Sequence, residues 1–403
     1  MLTRRTALAA TASLVAPAQA PRAQGTPILR TGVLNDQSGI YRDNGGPLSV
    51  ICAKQAIKEF AGKLGVQAEI LVADHQGKPD LGLSIARRWF DVENVDVVMD
   101  FQNSALALAT AQLAREKDKV VMPVNAGTSD LTGKQCTSNT VHWGYDAYFT
   151  AKVAGESLVK AGGDTWFFIT ADYALGHSMQ RDATHIVEGA GGRVLGSITT
   201  PFPNADYSSA LLQAQSSGAK VVCLAIGGTD LVNCVKQAAE FGLTGRVKFA
   251  TLLMQINDVS AMGLDIAKNL TVAESFYWDM NDHTRAFAAR ITPQSGGVMP
   301  NMCQANCYSA VQHYLKAAAA LGVMQAKASG RATVARMKAL PVEDDVLGRC
   351  SIREDGRVLY TGYLFQVKSP SESQQPWDGY RLIGTVPGPQ AARPLADGGC
   401  SLV

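Results

Sequence analysis

The strongest constraint on the fold is an alternation of apolar and amphipathic segments that runs along the chain twice. Short apolar runs such as Ile28–Asn35 and Thr165–Thr170 lack polar alternation, which is typical of strands buried on both faces. Segments with helical periodicity follow them, as in Leu48–Leu64 and Ser178–Gly189. Repeated units of this kind predict an α/β fold with two lobes, each built on a parallel sheet with helices on both faces.

The length of the chain agrees with two lobes, and its net charge argues against one class of function, nucleic-acid binding. At roughly 100–200 residues per domain, 403 residues suit two lobes. A formal net charge of +2 is too small for a nucleic-acid-binding surface, which needs a strong basic excess. We therefore expect no nucleic-acid partner.

Residues 1–25 have the layout of a signal peptide. Arg4 and Arg5 precede an apolar run, Ala7–Ala16, and a small-residue stretch follows it. The Thr-Arg-Arg start also resembles a twin-arginine signal. No later stretch of about 18 apolar residues occurs, so we expect an exported, periplasmic protein that does not itself span the membrane.

Common catalytic and metal-binding signatures are missing. The sequence has no GxSxG, GxGxxG, GxxxxGK[ST] or HExxH motif. His142 and His177 are candidate bases, but neither has a nucleophile beside it in sequence. Cys303 and Cys307 form a CxxxC with no second ligand pair nearby. We expect no enzyme activity, no catalytic residue, no metal and no cofactor; a secreted hydrolase with a dispersed catalytic set is the alternative.

Short polar or glycine-rich segments recur where the predicted strands end. Each offers backbone N–H groups, hydroxyls and a helix N-terminus, which together suit an anionic group. Since open α/β sheets bind ligands outside the carboxyl ends of their strands, we expect a site in a cleft between the lobes. The segments are residues 35–41, 100–104, 124–130, 170–173 and 226–230.

Several of these segments carry a resemblance to a known family. The chain resembles the periplasmic solute-binding proteins of ATP-driven branched-chain amino acid transport over essentially its whole mature length. This resemblance implies the type I periplasmic binding protein fold, in which two Rossmann-like lobes with parallel sheets are joined by three crossover strands. The residues that carry it include TGVLNDQSGIYRDNGG (31–46), VNAGTSDLT (124–132), ADYALG (171–176), KQAAEFG (236–242) and FYWD (276–279).

The resemblance also implies how the chain is divided between the lobes. After the signal peptide (1–25), the N-terminal lobe takes residues 26–146 and 278–346. The C-terminal lobe takes residues 147–277 and 347–386. Residues 387–403 form a surface tail returning toward the N-terminal lobe.

Ligand-binding residues follow from the same resemblance. Ser104, Ala126 and Thr128 fall where the family binds a carboxylate, Tyr173 where an aromatic ring covers the ligand, and Asp230 where an acid holds an ammonium group. The full expected ligand-binding set is Ser38, Tyr41, Asn103, Ser104, Asn125, Ala126, Gly127, Thr128, Tyr148, Tyr173, Gly228, Asp230 and Tyr277.

The identity of the ligand stays open in the sequence. An aromatic residue expected near Asn44 is absent, while Tyr41 and Arg42 are present, which argues against an aliphatic amino acid. An aromatic acid, a keto acid, an amide or urea would each be tolerated. The expected solute is a small carboxylate-bearing compound (an amino acid, an aromatic acid or a keto acid) or an amide, bound in the cleft between the lobes. The expected partners are a small-molecule solute and an ABC transporter membrane permease, with the receptor a monomer. A ligand sensor of the same fold is the alternative.

One disulfide is a candidate among the eight cysteines. Cys136 follows the expected ligand loop, and Cys400 lies in a tail that would return to the first lobe. Export permits a disulfide between them. The alternative is that both thiols are free.

Overall fold

The computed structural model describes residues 27–403, so the predicted signal peptide lies outside the described residues. The strands are β1 (Ile28–Asn35), β2 (Gln67–Asp74), β3 (Val97–Asp100), β4 (Val120–Pro123), β5 (Thr165–Ala171), β6 (Arg193–Thr200), β7 (Val221–Gly227), β8 (Lys248–Leu253), β9 (Thr271–Glu274), β10 (Val342–Asp344), β11 (Gly348–Ile352), β12 (Val358–Leu359), β13 (Gly362–Val367) and β14 (Tyr380–Val386). The α-helices are α1 (Gly46–Phe60), α2 (Pro79–Asp91), α3 (Ser104–Lys117), α4 (Ala147–Thr150), α5 (Glu156–Lys160), α6 (Ala174–Gly189), α7 (Ser208–Ser216), α8 (Gly228–Glu240), α9 (Ile256–Met262), α10 (Leu264–Ala267), α11 (Asp282–Ile291), α12 (Met302–Leu321), α13 (Val323–Ala328), α14 (Gly330–Ala339), α15 (Gly388–Ala391) and α16 (Leu395–Gly398).

The first lobe, the N-lobe, is built on a four-stranded parallel sheet in the order β2-β1-β3-β4. Helices cover both faces, with α1 and α12 packed together and α2 packed against α3. In β1 the side chains of Leu29 and Val33 enter one apolar core and Leu34 enters the other. This burial on both faces explains why the strand has no polar alternation.

The second lobe, the C-lobe, is built on a seven-stranded sheet in the order β14-β13-β9-β8-β7-β5-β6. The strands from β6 to β9 are parallel, whereas β13 and β14 add an antiparallel edge. The predicted α/β class with two parallel sheets is therefore confirmed. Between α4 and α5 the helical segment contains a π-helical turn, Ala151–Gly155, which packs on α6.

Up to β14, the described chain passes between the lobes three times: after β4, after β9 and before β13. The first and third passages are held together by a buried ion pair, Arg357 Nε to Asp146 Oδ2 at 2.9 Å. The same guanidinium donates to Tyr360 Oη (3.0 Å) and to the Gly144 carbonyl. These contacts fix the two passages side by side at the hinge.

The C-terminal tail, residues 387–403, runs from the C-lobe back to the N-lobe. Cys400 forms a disulfide with Cys136, with an S–S distance of 2.01 Å. Arg393 Nη2 donates to the Ser129 carbonyl at 2.8 Å. Ala391 and Cys400 are buried, so the tail is packed against the protein at these points rather than lying wholly on its surface.

Candidate functional site

The five polar segments lie at the carboxyl ends of β1, β3 and β4 in the N-lobe and of β5 and β7 in the C-lobe. The lobes meet there and are closed on each other. The Thr229 N–H donates to the Ile40 carbonyl (3.3 Å), and the Tyr41 and Tyr173 hydroxyls form a hydrogen bond. The structure thus places an interlobe cleft where the sequence predicts one.

A small cavity lies between the closed lobes. Its volume is about 10 Å³, which is room for about one water molecule. A larger solute therefore requires the lobes or the Tyr41–Tyr173 contact to part. Residues of both lobes line the cavity: Tyr41, Asn44, Gln102, Asn125, Tyr145, Leu253 and Cys303.

The loop after β4 presents backbone donors in this region. Within residues 27–403 no acceptor binds the N–H groups of Ala126, Gly127 or Thr128, although all three residues are buried. The hydroxyl of Ser104, at the start of α3, is also buried and has no hydrogen-bond partner in the described chain. The Thr128 Oγ1 accepts from the Asp130 N–H at 3.4 Å and caps the following turn.

Gly127 is required by packing. A Cβ at this position would collide with the ring of Tyr145 and lie 3.0 Å from Leu175 Cδ1. The Tyr145 hydroxyl donates to the Asn125 carbonyl (3.2 Å), which holds the ring over the loop. In the closed form, the space that a side chain at position 127 would occupy is thus filled by Tyr145 and Leu175.

Two buried carboxamides lie beside this loop. Asn125 Nδ2 donates to Asp100 Oδ1, and Gln102 Oε1 accepts from the Asp36 N–H at 2.7 Å. Within the described residues, Asn125 Oδ1 and Gln102 Nε2 have no hydrogen-bond partner. Burial raises the pKa of Asp100 to about 6, while amide donors from Asn35 and Asn125 partly offset this. Gln102 was missed by the sequence analysis, although it lies in one of the polar segments.

Aromatic side chains form the C-lobe side of the cleft. Tyr173 stacks on Phe202, with ring centroids 4.0 Å apart and an interplanar angle of 4°. Tyr41 stacks on the same ring at 6.1 Å. Burial raises the pKa of both tyrosines, so both remain neutral hydrogen-bonding groups. Phe202 was also missed; it lies between two prolines in a loop.

Asp230 and Gly228 occupy the start of α8. The buried Asp230 carboxylate accepts from the Asn204 N–H (2.9 Å) and the Tyr207 hydroxyl (3.3 Å), and burial raises its pKa. Gly228 has φ of +63°, and a Cβ there would lie 2.5 Å from the Ile40 carbonyl oxygen. A larger residue at Gly228 would therefore push the lobes apart.

A second polar contact closes the lobes on the other side of the ligand loop. Ser129 Oγ donates to Asp182 Oδ2 at 2.6 Å, and Arg181 Nη2 donates to Ser129 Oγ at 2.7 Å. Thr128 Oγ1 lies 3.5 Å from Ser178 Oγ. Asp182 and Ser178 both belong to α6, so this helix holds the ligand loop of the N-lobe in the closed form.

Among the expected site residues, only Tyr41 and Asn125 line the cavity itself, and four others have their contacts elsewhere in the described chain. Ser38 is exposed and donates to Asp74 Oδ2 (2.6 Å), and Asn103 caps α3. Tyr148 lines a surface groove beside the C-terminal tail. Tyr277 packs on Tyr380 inside the C-lobe and donates to the Trp377 carbonyl at 2.9 Å.

The two histidines considered as candidate bases and the two cysteines of the CxxxC motif lie in different environments. His142 is buried with its Nε2 2.8 Å from the Ala126 carbonyl, and burial lowers its pKa to about 4. His177 is exposed and pairs with Asp172 at 2.9 Å. Cys303 and Cys307 are buried free thiols whose pKa is raised by burial. Within residues 27–403 no group of three or more potential ligands could hold a metal ion.

No helix in the described part of the chain is both long enough and apolar enough to cross a membrane. A family model described as "Periplasmic binding protein" matches residues 29–374. No curated protein sequence matches this chain.

Solved structures show the same architecture. A periplasmic binding protein from Burkholderia mallei is 41% identical, with a TM-score of 0.88, covering 93% of this chain and 98% of its own. A branched-chain amino acid ABC transporter periplasmic ligand-binding protein from Burkholderia xenovorans is 34% identical, with a TM-score of 0.82, covering 93% and 99%. A solute-binding protein from R. palustris in complex with benzoate has a TM-score of 0.80 at 20% identity, covering 90% and 97%.

Proposed function

This chain belongs to the periplasmic binding protein family and is a solute-binding receptor of an ABC importer, and we propose that its solute carries a carboxylate or an amide group. Amino acids, aromatic acids, keto acids and small amides are the candidate classes. The solute would bind between the two lobes, at the loop after β4, and closure would bury it. The closed form would then dock on a membrane permease.

The observation that carries this proposal is the row of free donors in the ligand loop. Three consecutive N–H groups, Ala126 to Thr128, and the Ser104 hydroxyl lack acceptors within the described residues. Buried backbone N–H groups nearly always have a partner, so their free state here supports a ligand oxygen as the missing acceptor. Carboxylates and amides both supply such an oxygen.

The charged groups around the cavity decide whether a solute carboxylate can form an ion pair there. No residue that lines the cavity is Arg or Lys, and N–H groups of lining residues donate to the carboxylates of Asp36, Asp100 and Asp258. A bound carboxylate would thus rely on N–H and O–H donors alone. Hydrogen bonds to a charged group contribute about 1.5–3 kcal/mol each, so a few of them suffice for useful affinity.

We further propose that the receptor works as an exported monomer and does not convert its solute. Residues 1–25 would direct export, with the paired Arg4 and Arg5 favouring the twin-arginine route. A reporter fused to these residues should appear in the periplasm. Solute recovered from the complex should be chemically unchanged, because neither His142 nor His177 is hydrogen-bonded to a nucleophilic side chain among the described residues.

The test of the binding site is a charge placed in the ligand loop. A thermal-shift panel of amino acids, aromatic acids, keto acids, amides and urea identifies the ligand, since binding to the folded state raises its stability. The Thr128→Asp variant then places a carboxylate beside the free N–H groups, where it competes with the solute. We expect its affinity to fall by at least about tenfold in titration calorimetry, or about 1.4 kcal/mol.

The matched control is Thr199→Asp, which adds the same charge on the exposed edge strand β6. It should bind like the wild type. If Thr128→Asp folds and keeps full affinity, the loop after β4 serves only as a turn cap and the solute binds elsewhere.

A further inference from the structure

We propose that Gln102 and Asn125 form a donor–acceptor pair that selects solutes with a carboxamide or urea group over the matching carboxylates. The inference rests on the proposed function, because it assigns the polar end of the solute to the interlobe cavity. Both side chains are 3% exposed and line that cavity.

The orientation of each carboxamide is fixed by its other contact. The Asp36 N–H can only donate, so the oxygen of Gln102 must face it, and Nε2 is left without a partner among the described residues. An ionised Asp100 can only accept, so the nitrogen of Asn125 must face it and Oδ1 is left. Rotating either carboxamide by 180° would place two donors or two acceptors together. The cavity is therefore presented with one unpaired donor and one unpaired acceptor.

The hydroxyl and amide donors of the other lining side chains are already paired. The Tyr41 hydroxyl bonds to Tyr173, and the Tyr145 hydroxyl donates to the Asn125 carbonyl. Asn44 Nδ2 donates to Asp258 Oδ2 at 3.1 Å. Among the lining residues of the described chain, only the two carboxamides of the pair have a buried polar side-chain atom without a partner. Among the side chains that line the cavity, a buried unpaired donor and a buried unpaired acceptor thus occur together only in this pair.

A carboxamide or urea group satisfies both atoms, since its C=O accepts from Gln102 Nε2 and its N–H donates to Asn125 Oδ1. A carboxylate satisfies only the donor, and it brings a negative charge toward Asn125 Oδ1 and Asp100. An ammonium group satisfies only the acceptor. Sites that hydrogen-bond a polar group discriminate strongly against analogues that leave a buried partner unpaired.

The backbone opposite the pair supports this geometry. A Cβ on Gly45 would collide with Gln102 Nε2 and lie 3.1 Å from Asn125 Nδ2. Gly45 therefore packs directly against both carboxamides and leaves Gln102 no space to turn toward α1. The pair is held in place before a solute arrives.

The experiment uses acid and amide pairs of the same shape: acetate with acetamide, benzoate with benzamide, and urea as a further amide. Titration calorimetry on the exported full chain should show at least about tenfold tighter binding of amides than of their acids. Gln102→Glu keeps the acceptor for the Asp36 N–H but replaces the free donor by an oxygen. It should weaken amide binding at least about tenfold.

Two further variants complete the design. Gln102→Met removes the donor without adding charge and should also erase the preference for amides, should the glutamate variant fold poorly. Gln112→Glu makes the same amide-to-acid change on α3 at a partly exposed position outside the cavity, where it contacts Gln135. Its affinities should equal those of the wild type.

Three results would overturn the inference. Equal affinity for acids and amides would mean that a single buried water satisfies both atoms. Tighter binding of carboxylates or of zwitterionic amino acids than of amides would mean that Gln102 and Asn125 do not select for amides. If acids and amides bind and both Gln102 variants leave affinity unchanged, the proposed function stands without this pair, whereas binding of no panel member refutes the proposed function itself.

Discussion

Asp258 gives the sharpest prediction, because it is an acid buried where the two lobes touch. It lies in the first turn of α9 and is 3% exposed. Its Oδ2 accepts from the Gln255 N–H (2.8 Å) and from Asn44 Nδ2 of the N-lobe (3.1 Å). Burial raises the pKa of Asp258 from 3.8 to about 7; these hydrogen bonds lower it and the charge of Asp43 raises it.

The direction of the pH effect follows from this shift. The pKa of the folded state lies above that of the unfolded chain, so folding favours the protonated acid. The corresponding stability is fully present below about pH 3.8 and is lost as the pH rises through about 7. At about 1.4 kcal/mol per pKa unit the whole loss is about 4 kcal/mol, of which about 2–3 kcal/mol falls between pH 5 and pH 8.

The perturbation is Asp258→Asn, which cannot titrate. Urea unfolding at pH 5 and pH 8 gives the free energy of unfolding of each protein. We expect the wild type to lose about 2–3 kcal/mol more than the variant over this range. Other buried acids, such as Asp100 and Glu274, are present in both proteins and cancel in the difference.

Asp265→Asn in the neighbouring α10 is the matched control, because this acid is exposed. It should follow the wild type at both pH values. Any constant cost of the new amide beside Asn257 is independent of pH and does not affect the comparison. Equal pH dependence in the wild type and Asp258→Asn would refute the reasoning, since Asp258 would then titrate as an ordinary carboxyl.

Three further predictions concern the C-lobe site, the tail and the hinge. Asp230→Ala should weaken ligands that carry an amine far more than ligands that lack one, as measured by calorimetry; an equal effect on both would mean that Asp230 only holds its own lobe together through the contacts at the start of α8. Replacing Cys136 and Cys400 together by Ser should lower the free energy of unfolding by about 2–4 kcal/mol, measured in urea without reductant; no change would mean that the pair is reduced in solution. Arg357→Met leaves Asp146 buried without its partner and should cost about 3–5 kcal/mol in the same assay, and a neutral effect would contradict a buried pair at the hinge.

The fold could be predicted because its determinants are local and repeated. Apolar runs such as the one that forms β7 have every residue buried, as the absence of polar alternation indicates. The antiparallel edge formed by β13 and β14 was not specified by pattern, because pairing direction depends on how the chain returns from the hinge. The presence of the strands could thus be predicted from the sequence, whereas their order in the sheet could not.

Only the site residues whose positions are determined by the carboxyl ends of the strands could be predicted from the sequence. Asn125, Tyr41 and Tyr173 come together as expected, because the carboxyl ends of parallel strands meet at one edge. Gln102 was missed although it is two residues from Ser104, since sequence gives no sign of which side chain in a loop turns inward. Tyr277 follows β9 and points into the C-lobe core, which only the packing of β13 and β14 determines.

Closure of the lobes is held by hydrogen bonds that each contribute little net free energy. The Tyr41–Tyr173 and Ser129–Asp182 contacts exist only when the lobes meet, and water satisfies the same groups when they part. Each such bond contributes only about 0.5–1.5 kcal/mol net. A handful of them stabilises the closed form by a few kcal/mol, before the loss of hinge motion is counted.

The two unpaired atoms in the cavity act in the opposite direction. Closure leaves Gln102 Nε2 and Asn125 Oδ1 without a partner from the protein, which costs up to about 1–3 kcal/mol for each. These terms roughly cancel the interlobe hydrogen bonds, so closure by the protein alone is near balance. A solute that pairs both atoms recovers about 2–6 kcal/mol. Shifting the ratio of closed to open receptor from 1:99 to 99:1 requires roughly 5.5 kcal/mol, which lies within this range. The unsatisfied pair therefore makes closure depend on the solute, and a permease that recognises the closed form would respond only to a loaded receptor.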